Sequence, residues 1–295
     1  MNAFEYRAPR ALDEALAILQ DFGDEARAVA GGTALVTMMR QRLVRPGCLV
    51  SLRDIPGLGG IEATNGAVRL GALVTHREAE RSPWLGERLP VLAETFRRVG
   101  TVRIRHMATV GGALAHADPN QDPPVTLLAL EARVEIRRAG GRRELPLGEF
   151  FRDYYETALE PGELVAGITV PLLPAASGAS YVKFLPRTAD DYATVAVAAI
   201  VTLEPDGERC REGRIALGSV ATTPLRARAA EALLRGERLD ERVLRAAGEA
   251  ARGATDPLSD HRGSAAYKRE MTVVMVGRAL THAWDAARRA VHPPR

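Results

Sequence analysis

A chain of 295 residues, 46% hydrophobic and 26% charged, is long enough to bury roughly three quarters of its unfolded surface and to hold two or three domains. It contains no apolar run of the roughly 18 residues a membrane span requires, so a soluble, cytoplasmic protein is expected. The net charge is only +3, arginines alternate with acids in stretches such as "EALLRGERLDERVLRAAGEAARG", and aromatics make up 5% of the chain, a pattern of solvated helical faces that argues against nucleic acid as a partner.

The N-terminus, "MNAFEYRAPRALDEALAIL", places acids inside its apolar region and lacks the basic-then-apolar order of a signal peptide. Its apolar spacing predicts a helix over "ALDEALAILQDF" that stops at Gly23, followed by a strand, "ARAVA", and an amphipathic helix, "TALVTMMRQRL". Between them lies Gly31-Gly32-Thr33. A further strand, "CLVSL", precedes the loop "RDIPGLGG". From about residue 60, Asn65-Gly66 between two short strands predicts a type I′ hairpin, and Thr75 with Glu78 forms a capping box opening a helix. A helix through "PVLAETFRRVG" leads to "TVGGALAHADPNQDPP", then a short helix at Pro123-Pro124, the strand "RVEIRR" and the turn "AGGR". A Pro/Ala/Ser/Gly-rich connector near residue 175 marks the expected domain boundary. Beyond it, "SYVKFLP", "YATVAVAAIVTL" and "REGRIALGSV" predict a three-stranded antiparallel sheet, covered by helices that run to the C-terminus. The expected class is α+β.

Two cysteines, Cys48 and Cys210, exclude a disulfide framework and leave too few thiolates for a four-cysteine zinc or iron–sulfur site. The six histidines form no H-x-x-x-H or H-E-x-x-H pair, so no metal is expected. A phosphate loop ending in Gly-Lys-Ser/Thr and a G-x-G-x-x-G dinucleotide fingerprint are both absent. What the chain offers instead is "AVAGGTALV", a strand ending in two glycines and a threonine before a helix, where backbone N–H groups converge and suit a phosphate. Taken alone, the spacing favours an ordinary tight turn with Thr33 as N-cap. Thr109-Val110-Gly111-Gly112 repeats the pattern, and two such turns fit a diphosphate better than one phosphate. Carboxylates downstream would repel that anion but can accept hydrogen bonds from sugar or ribityl hydroxyls. Asp122 is a candidate for this role, although its place before Pro123 also suits a helix N-cap. Of the 40 basic residues only Lys183 and Lys268 are lysine.

"AGGTALVTMMRQR" and "ATVGGALAHADPNQD" resemble the two FAD-binding signatures of the flavoprotein (medium) subunit of the xanthine dehydrogenase and aerobic carbon monoxide dehydrogenase family of molybdenum hydroxylases. "FFRDYYETALEPGELVAGITVP", "YVKFLPRTADDYATVAVA" and "DHRGSAAYKREM" resemble later blocks of that family in the same order. The resemblance implies a two-part FAD-binding domain of the vanillyl-alcohol oxidase type over residues 1–175, with subdomains of about 1–57 and 58–175. A C-terminal domain of the carbon monoxide dehydrogenase flavoprotein type would occupy 176–295. Carried over by motif, Ala30, Gly31, Gly32, Thr33, Ala34, Leu35 and Val36 wrap the diphosphate from one side, and Thr109, Val110, Gly111, Gly112 and Ala113 from the other. Asp122 contacts sugar or ribityl hydroxyls, and Val165 lies against the flavin. Lys183 stands at the flavin's edge with Arg187, Asp190, Asp191 and Tyr192 beside it. A cation there would favour reduced flavin, which carries negative charge near N1. Without the motif, Lys183 reads as a strand-end lysine in solvent and Tyr192 as core packing.

The resemblance also implies partners: a small [2Fe–2S] subunit and a large molybdopterin subunit, in a dimer of heterotrimers, with NAD⁺, a quinone or oxygen as electron acceptor. Two other readings stay open at this point. One is a free-standing FAD oxidoreductase, with Asp190, Asp191 or Tyr192 as the acid or base. The other is a non-catalytic docking or assembly protein whose Gly-Gly turns are structural.

Overall fold

A computed structural model of the chain describes residues 3–185 and 187–291. The N-terminal part comprises β1 (Glu5–Arg7), α1 (Leu12–Phe22), β2 (Ala26–Val29), α2 (Leu35–Arg40) and β3 (Cys48–Ser51). The three strands form a parallel sheet in the order β1-β3-β2. Helix α1 buries Ala15, Leu16 and Leu19 against it, and it stops where Gly23 turns to φ +51°, as its sequence predicts. Helix α2 is shorter than its apolar pattern suggests. Arg42 adopts a left-handed φ of 63°, and the Leu43 N–H reaches back to the Met38 carbonyl, a helix stop that needs no glycine.

The second part contains β4 (Ile61–Thr64), β5 (Ala67–Gly71), α3 (His76–Arg81), α4 (Pro83–Arg88), α5 (Pro90–Arg97), α6 (Val102–Met107), α7 (Val110–His116) and α8 (Asp122–Ala129). It continues through β6 (Arg133–Arg138), β7 (Gly141–Pro146), β8 (Phe151–Asp153), β9 (Glu156–Thr157) and β10 (Leu164–Pro171). Strands β4-β5-β10-β6-β7 make an antiparallel sheet in that order. The hairpin predicted at Asn65-Gly66 pairs Thr64 with Ala67, but its turn is not type I′: of the two central residues only Gly66 has a positive φ, +77°, whereas type I′ needs it at both. Thr75 caps α3 in a full capping box with Glu78.

Two expectations fail here. "TVGG" is not a turn but the first turn of α7, capped by the Thr109 hydroxyl, which accepts from the Gly112 N–H. Glycine disfavours a helix interior, but a Cβ on Gly111 would lie 2.5 Å from the Cβ of Ala72, so packing against the end of β5 outweighs propensity. Asp122, in turn, is not the N-cap of α8. That position belongs to Gln121, and Asp122 occupies the first helical position with its side chain turned inward.

The third part carries β11 (Ser177–Phe184), β12 (Val195–Leu203), β13 (Cys210–Gly218) and β14 (Leu225–Arg226), then α9 (Arg228–Ala232), α10 (Glu241–Gly253) and α11 (Ala265–Val291). The antiparallel sheet runs β11-β12-β13-β14. It therefore has four strands, not three, because two residues after β13, Leu225 and Arg226, return to pair with Leu217 and Ala216. So short a segment carries no period-2 signal of its own. Helix α11 lays Thr272, Met275, Val276, Ala279, Leu280, Ala283 and Ala287 onto the sheet, a three-to-four-residue stripe. Every residue of α8 is buried. This helix belongs to a hydrophobic cluster that also draws Tyr181, Ala196, Ala198, Ile200 and Ala216 from the third part, so the second and third parts share a core.

Candidate functional site: a cleft between glycine-rich segments

A cleft of about 900 Å³ opens between the three parts, toward the upper end of the roughly 300–1,000 Å³ found for small-molecule sites. One wall is the chain leaving β2. Ala30, Gly31, Gly32, Thr33, Ala34 and Leu35 all line it. Among the described residues, no protein acceptor takes the amides of Gly31, Gly32, Thr33, Ala34 or Leu35. Five successive unpaired donors beside a cavity call for an acceptor from outside the chain. Thr33 is not the cap of α2: Ala34 holds that position without a side-chain bond, and the Thr33 carbonyl accepts from the Thr37 hydroxyl at 3.0 Å.

Facing this segment is the chain around α7. A Cβ built on Gly31 would fall 1.7 Å from the carbonyl oxygen of Met107 and 3.2 Å from the Cα of Ala108. Backbone touches backbone there, which only glycine permits. Thr109, Gly111, Gly112 and Ala113 line the cleft, whereas Val110 is buried behind them. The second glycine pair differs from the first in one respect. The Val110 and Gly111 amides donate to the Val74 and Ala72 carbonyls at 2.9 and 2.8 Å, and the Ala113 amide to the Thr109 carbonyl. With Gly112 bound to the Thr109 hydroxyl, the expected grip by these amides is already spent inside the protein. At the cleft the second pair presents main chain, while its missing Cβ atoms make room for Ala72 and the Thr109 hydroxyl.

Asp122, Val165, Lys183 and Tyr192 complete the lining, together with Asp190 and Asp191. Val36 and Arg187 are exposed and lie off the cleft. Lys183 is no strand-end lysine in solvent. Its side chain is 1% exposed and lies 2.9 Å from Asp122 Oδ2, itself 3% exposed, and its Nζ also donates to the Arg98 carbonyl at 3.0 Å. The Tyr181 hydroxyl donates to the other carboxylate oxygen of Asp122. Burial pushes the Asp122 carboxyl up, against the opposing pull of Lys183 and Tyr181. The phenol of Tyr181 is pushed well above its ordinary range by burial and by Asp122. Residues 59 and 61 positions after Asp122 thus tie α8 to β11 at the wall of the cleft.

Val165 follows a fixed turn. Arg143 meets Glu163 through Nε at 2.8 Å and through Nη2, and the Glu160 amide donates to the same carboxylate at 2.8 Å. These contacts clamp the Pro161-Gly162 turn before β10, and the Val165–Gly167 step then bulges.

Sequence reasoning missed His76 on the cleft lining. The imidazole is 2% exposed, its ring centroid lies 5.2 Å from that of Phe96, and among the described residues neither nitrogen has a hydrogen-bond partner. Burial drives its pKa down to about 4, so it is neutral at pH 7. Its place directly after the capping threonine of α3 was the available signal. Among the described residues no group of three or more His, Cys, Asp or Glu could hold a metal ion, and no helix is long and apolar enough to cross a membrane.

Comparison with known proteins identifies the family. Residues 2–173 match the family described as the FAD binding domain in molybdopterin dehydrogenase, and residues 180–283 match the CO dehydrogenase flavoprotein C-terminal domain. The carbon monoxide dehydrogenase medium chain of Afipia carboxidovorans is 38% identical over 96% of this chain and 97% of its own length. The 6-hydroxypseudooxynicotine dehydrogenase complex subunit alpha of Paenarthrobacter nicotinovorans is 36% identical over 97% of this chain and 96% of its own length. The structure of carbon monoxide dehydrogenase from Hydrogenophaga pseudoflava superposes with a TM-score of 0.93 at 38% identity, covering 97% of this chain and 98% of that one. The chain therefore belongs to the FAD-binding family of the molybdopterin dehydrogenases and is an FAD-dependent oxidoreductase subunit of the medium-chain type.

Proposed function

We propose that the cleft holds FAD between the two subdomains of residues 1–57 and 58–175, with its diphosphate against the amides of Gly31 to Leu35. The run of five amides without an acceptor among the described residues, along one wall of the cleft, carries this reading, because oriented N–H groups before a helix are an anion site that needs no cation. Thr109, Gly111, Gly112 and Ala113 keep the opposite wall low enough for an elongated ligand. Asp122 keeps lone pairs free for a hydroxyl, since each carboxylate oxygen can accept twice. Lys183 has three N–H donors and spends two of them on Asp122 and Arg98, which leaves one for the cofactor. Val165 provides an apolar contact and Tyr192 a ring at the wall.

FAD bound in this way supplies the step between the one-electron carriers of a small [2Fe–2S] partner and a two-electron acceptor, NAD⁺, a quinone or oxygen. The hydroxylation itself belongs to a large molybdopterin partner, and the whole assembles as a dimer of heterotrimers. In support, two cysteines are too few thiolates to ligate a [2Fe–2S] cluster, so the clusters are assigned to a partner.

The test compares the purified chain with the co-purified heteromer, both loaded with FAD and offered carbon monoxide, N-heterocycles and aldehydes. Substrate-dependent bleaching of the flavin in the heteromer, with none in the isolated chain, is the expected result. Turnover by the isolated chain would replace this reading with that of a free-standing oxidase or dehydrogenase.

A further inference from the structure

The second of the chain's two lysines is as buried as the first, yet it lies off the cleft. The Lys268 side chain is 4% exposed, with its Nζ 2.9 Å from Asp260 Oδ2, and it donates to the Leu258 carbonyl at 2.9 Å. Standing in the first turn of α11, it fastens the segment before that helix. The segment is closed on itself: Asp260 and Gly263 exchange both backbone hydrogen bonds at 3.1 Å, and Ser259 Oγ accepts from the Ala265 amide. Asp260 also accepts from the Arg262 amide at 2.8 Å and meets Arg262 Nη1 at 3.3 Å. The Arg262 carbonyl takes the Thr194 hydroxyl at 3.2 Å.

This closed segment carries Arg262, whose guanidinium meets Asp260 within it. Arg262, its side chain 12% exposed, places Nε 3.5 Å from Asp191 Oδ1 and Cζ 5.3 Å from the centroid of the Tyr192 ring. Asp191 and Tyr192 are both on the wall of the cleft, and Asp191 additionally accepts from the Tyr192 amide at 2.8 Å. A planar cation stacked on an aromatic face and paired at its edge fixes the ring's position and tilt in a way a lysine ammonium would not.

Building on the cofactor assignment above, we infer that Arg262 is a positioning residue that holds Tyr192 and Asp191 in the wall of the cofactor cleft, with Asp260 and Lys268 bracing it. The segment before the C-terminal helix thereby sets the shape of a site whose phosphate cradle lies more than 200 residues earlier in the chain. A role confined to the stability of the third sheet would leave the wall unaffected, and the two cases separate experimentally.

The experiment compares wild type with Arg262→Ala, Arg262→Gln, Arg262→Lys, Tyr192→Leu and the Arg262→Ala/Tyr192→Leu double variant. Amide hydrogen exchange over residues 187–193 is followed without flavin, and FAD dissociation is followed with it. Loss of one cation–aromatic contact predicts a roughly two- to five-fold rise in exchange at Asp191 and Tyr192, and in the FAD dissociation rate, in Arg262→Ala and Arg262→Gln. Lysine restores part of both. In the Tyr192→Leu background, removing Arg262 has a smaller effect on dissociation than in wild type, because only its pairing with Asp191 is left to lose. Exchange at Asp191 and Tyr192 that stays at the wild-type rate overturns the inference whatever happens to stability, and so does an equal effect on dissociation with and without the Tyr192 ring. Failure of wild type to bind FAD overturns the cofactor assignment, and the flavin-free exchange comparison still decides the role of Arg262.

Discussion

Replacing Gly31 by alanine tests the tightest of the glycine positions among the described residues. The new Cβ would stand 1.7 Å from the Met107 carbonyl oxygen and 2.6 Å from its carbon. Both atoms are backbone, so no rotamer relieves the clash. Reaching an ordinary contact of about 3.5 Å requires the two segments to part by roughly 1.8 Å. Overpacking of this kind costs about 1–3 kcal/mol, and a carbonyl that cannot rotate away places the cost at the upper end, so thermal unfolding should fall by roughly 6–12 °C at about 2–4 °C per kcal/mol. The larger effect is on the ligand. Charge-assisted hydrogen bonds contribute about 1.5–3 kcal/mol each, and a shift of this size misaims at least one amide of the cradle, so FAD should bind at least about ten-fold more weakly. Gly59→Ala is the control, since a Cβ there meets nothing within 4 Å. Calorimetric melting and fluorescence titration with FAD measure both quantities. A Gly31→Ala protein that melts and binds like the Gly59→Ala control would refute the reasoning.

His76 predicts an acid-side loss of stability. Its folded pKa of about 4 lies below the unfolded 6.5, so the unfolded chain binds the extra proton first. The stabilisation is complete above pH 6.5 and is lost as pH falls toward 4, by roughly 3 kcal/mol. Between pH 6.5 and 4, the unfolding free energy of His76→Phe from urea titrations should fall by that much less than that of wild type, and an equal fall would count against a neutral buried imidazole. Lys183→Met strands the Asp122 carboxylate and should cost about 3–5 kcal/mol in the same assay, while Lys183→Met combined with Asp122→Asn recovers most of it; equal losses in the single and double variants would show that the pair does not act together. Gly86, exposed inside α4 with open space around its Cβ position, should gain about 0.5–1 kcal/mol on substitution by alanine, a small rise readable by differential scanning calorimetry.

Local chemistry was legible and long-range chemistry was not. The stop at Gly23, the Asn65-Gly66 hairpin and the Thr75–Glu78 box each depend on residues within a few positions of one another, and each stands where its signal predicts. The strand-to-helix passage at Gly31-Gly32 was legible for the same reason. Thr109 to Gly112 deceived because two glycines signal a turn, and only the close face of Ala72 explains why they sit in a helix. Asp122 has a good N-cap sequence context, but its partners Tyr181 and Lys183 come from a strand in the third part, and no spacing rule reaches that far. The short strand β14 and the bracing of Tyr192 by Arg262 are likewise tertiary facts. Lysine scarcity was a compositional hint to both buried ammonium groups, although it did not reveal their partners.

The most direct test of the central claim is hydrogen exchange at the amides of residues 31–35, measured on the purified chain before and after saturation with FAD, with the retained flavin quantified. These amides have no acceptor among the described residues and should exchange rapidly in the free chain. One FAD per chain and strong slowing confined to this segment and the rest of the cleft wall is the predicted result. Bound FAD that leaves residues 31–35 exchanging at the free rate, or no retained flavin with or without the partner subunits, would contradict the account.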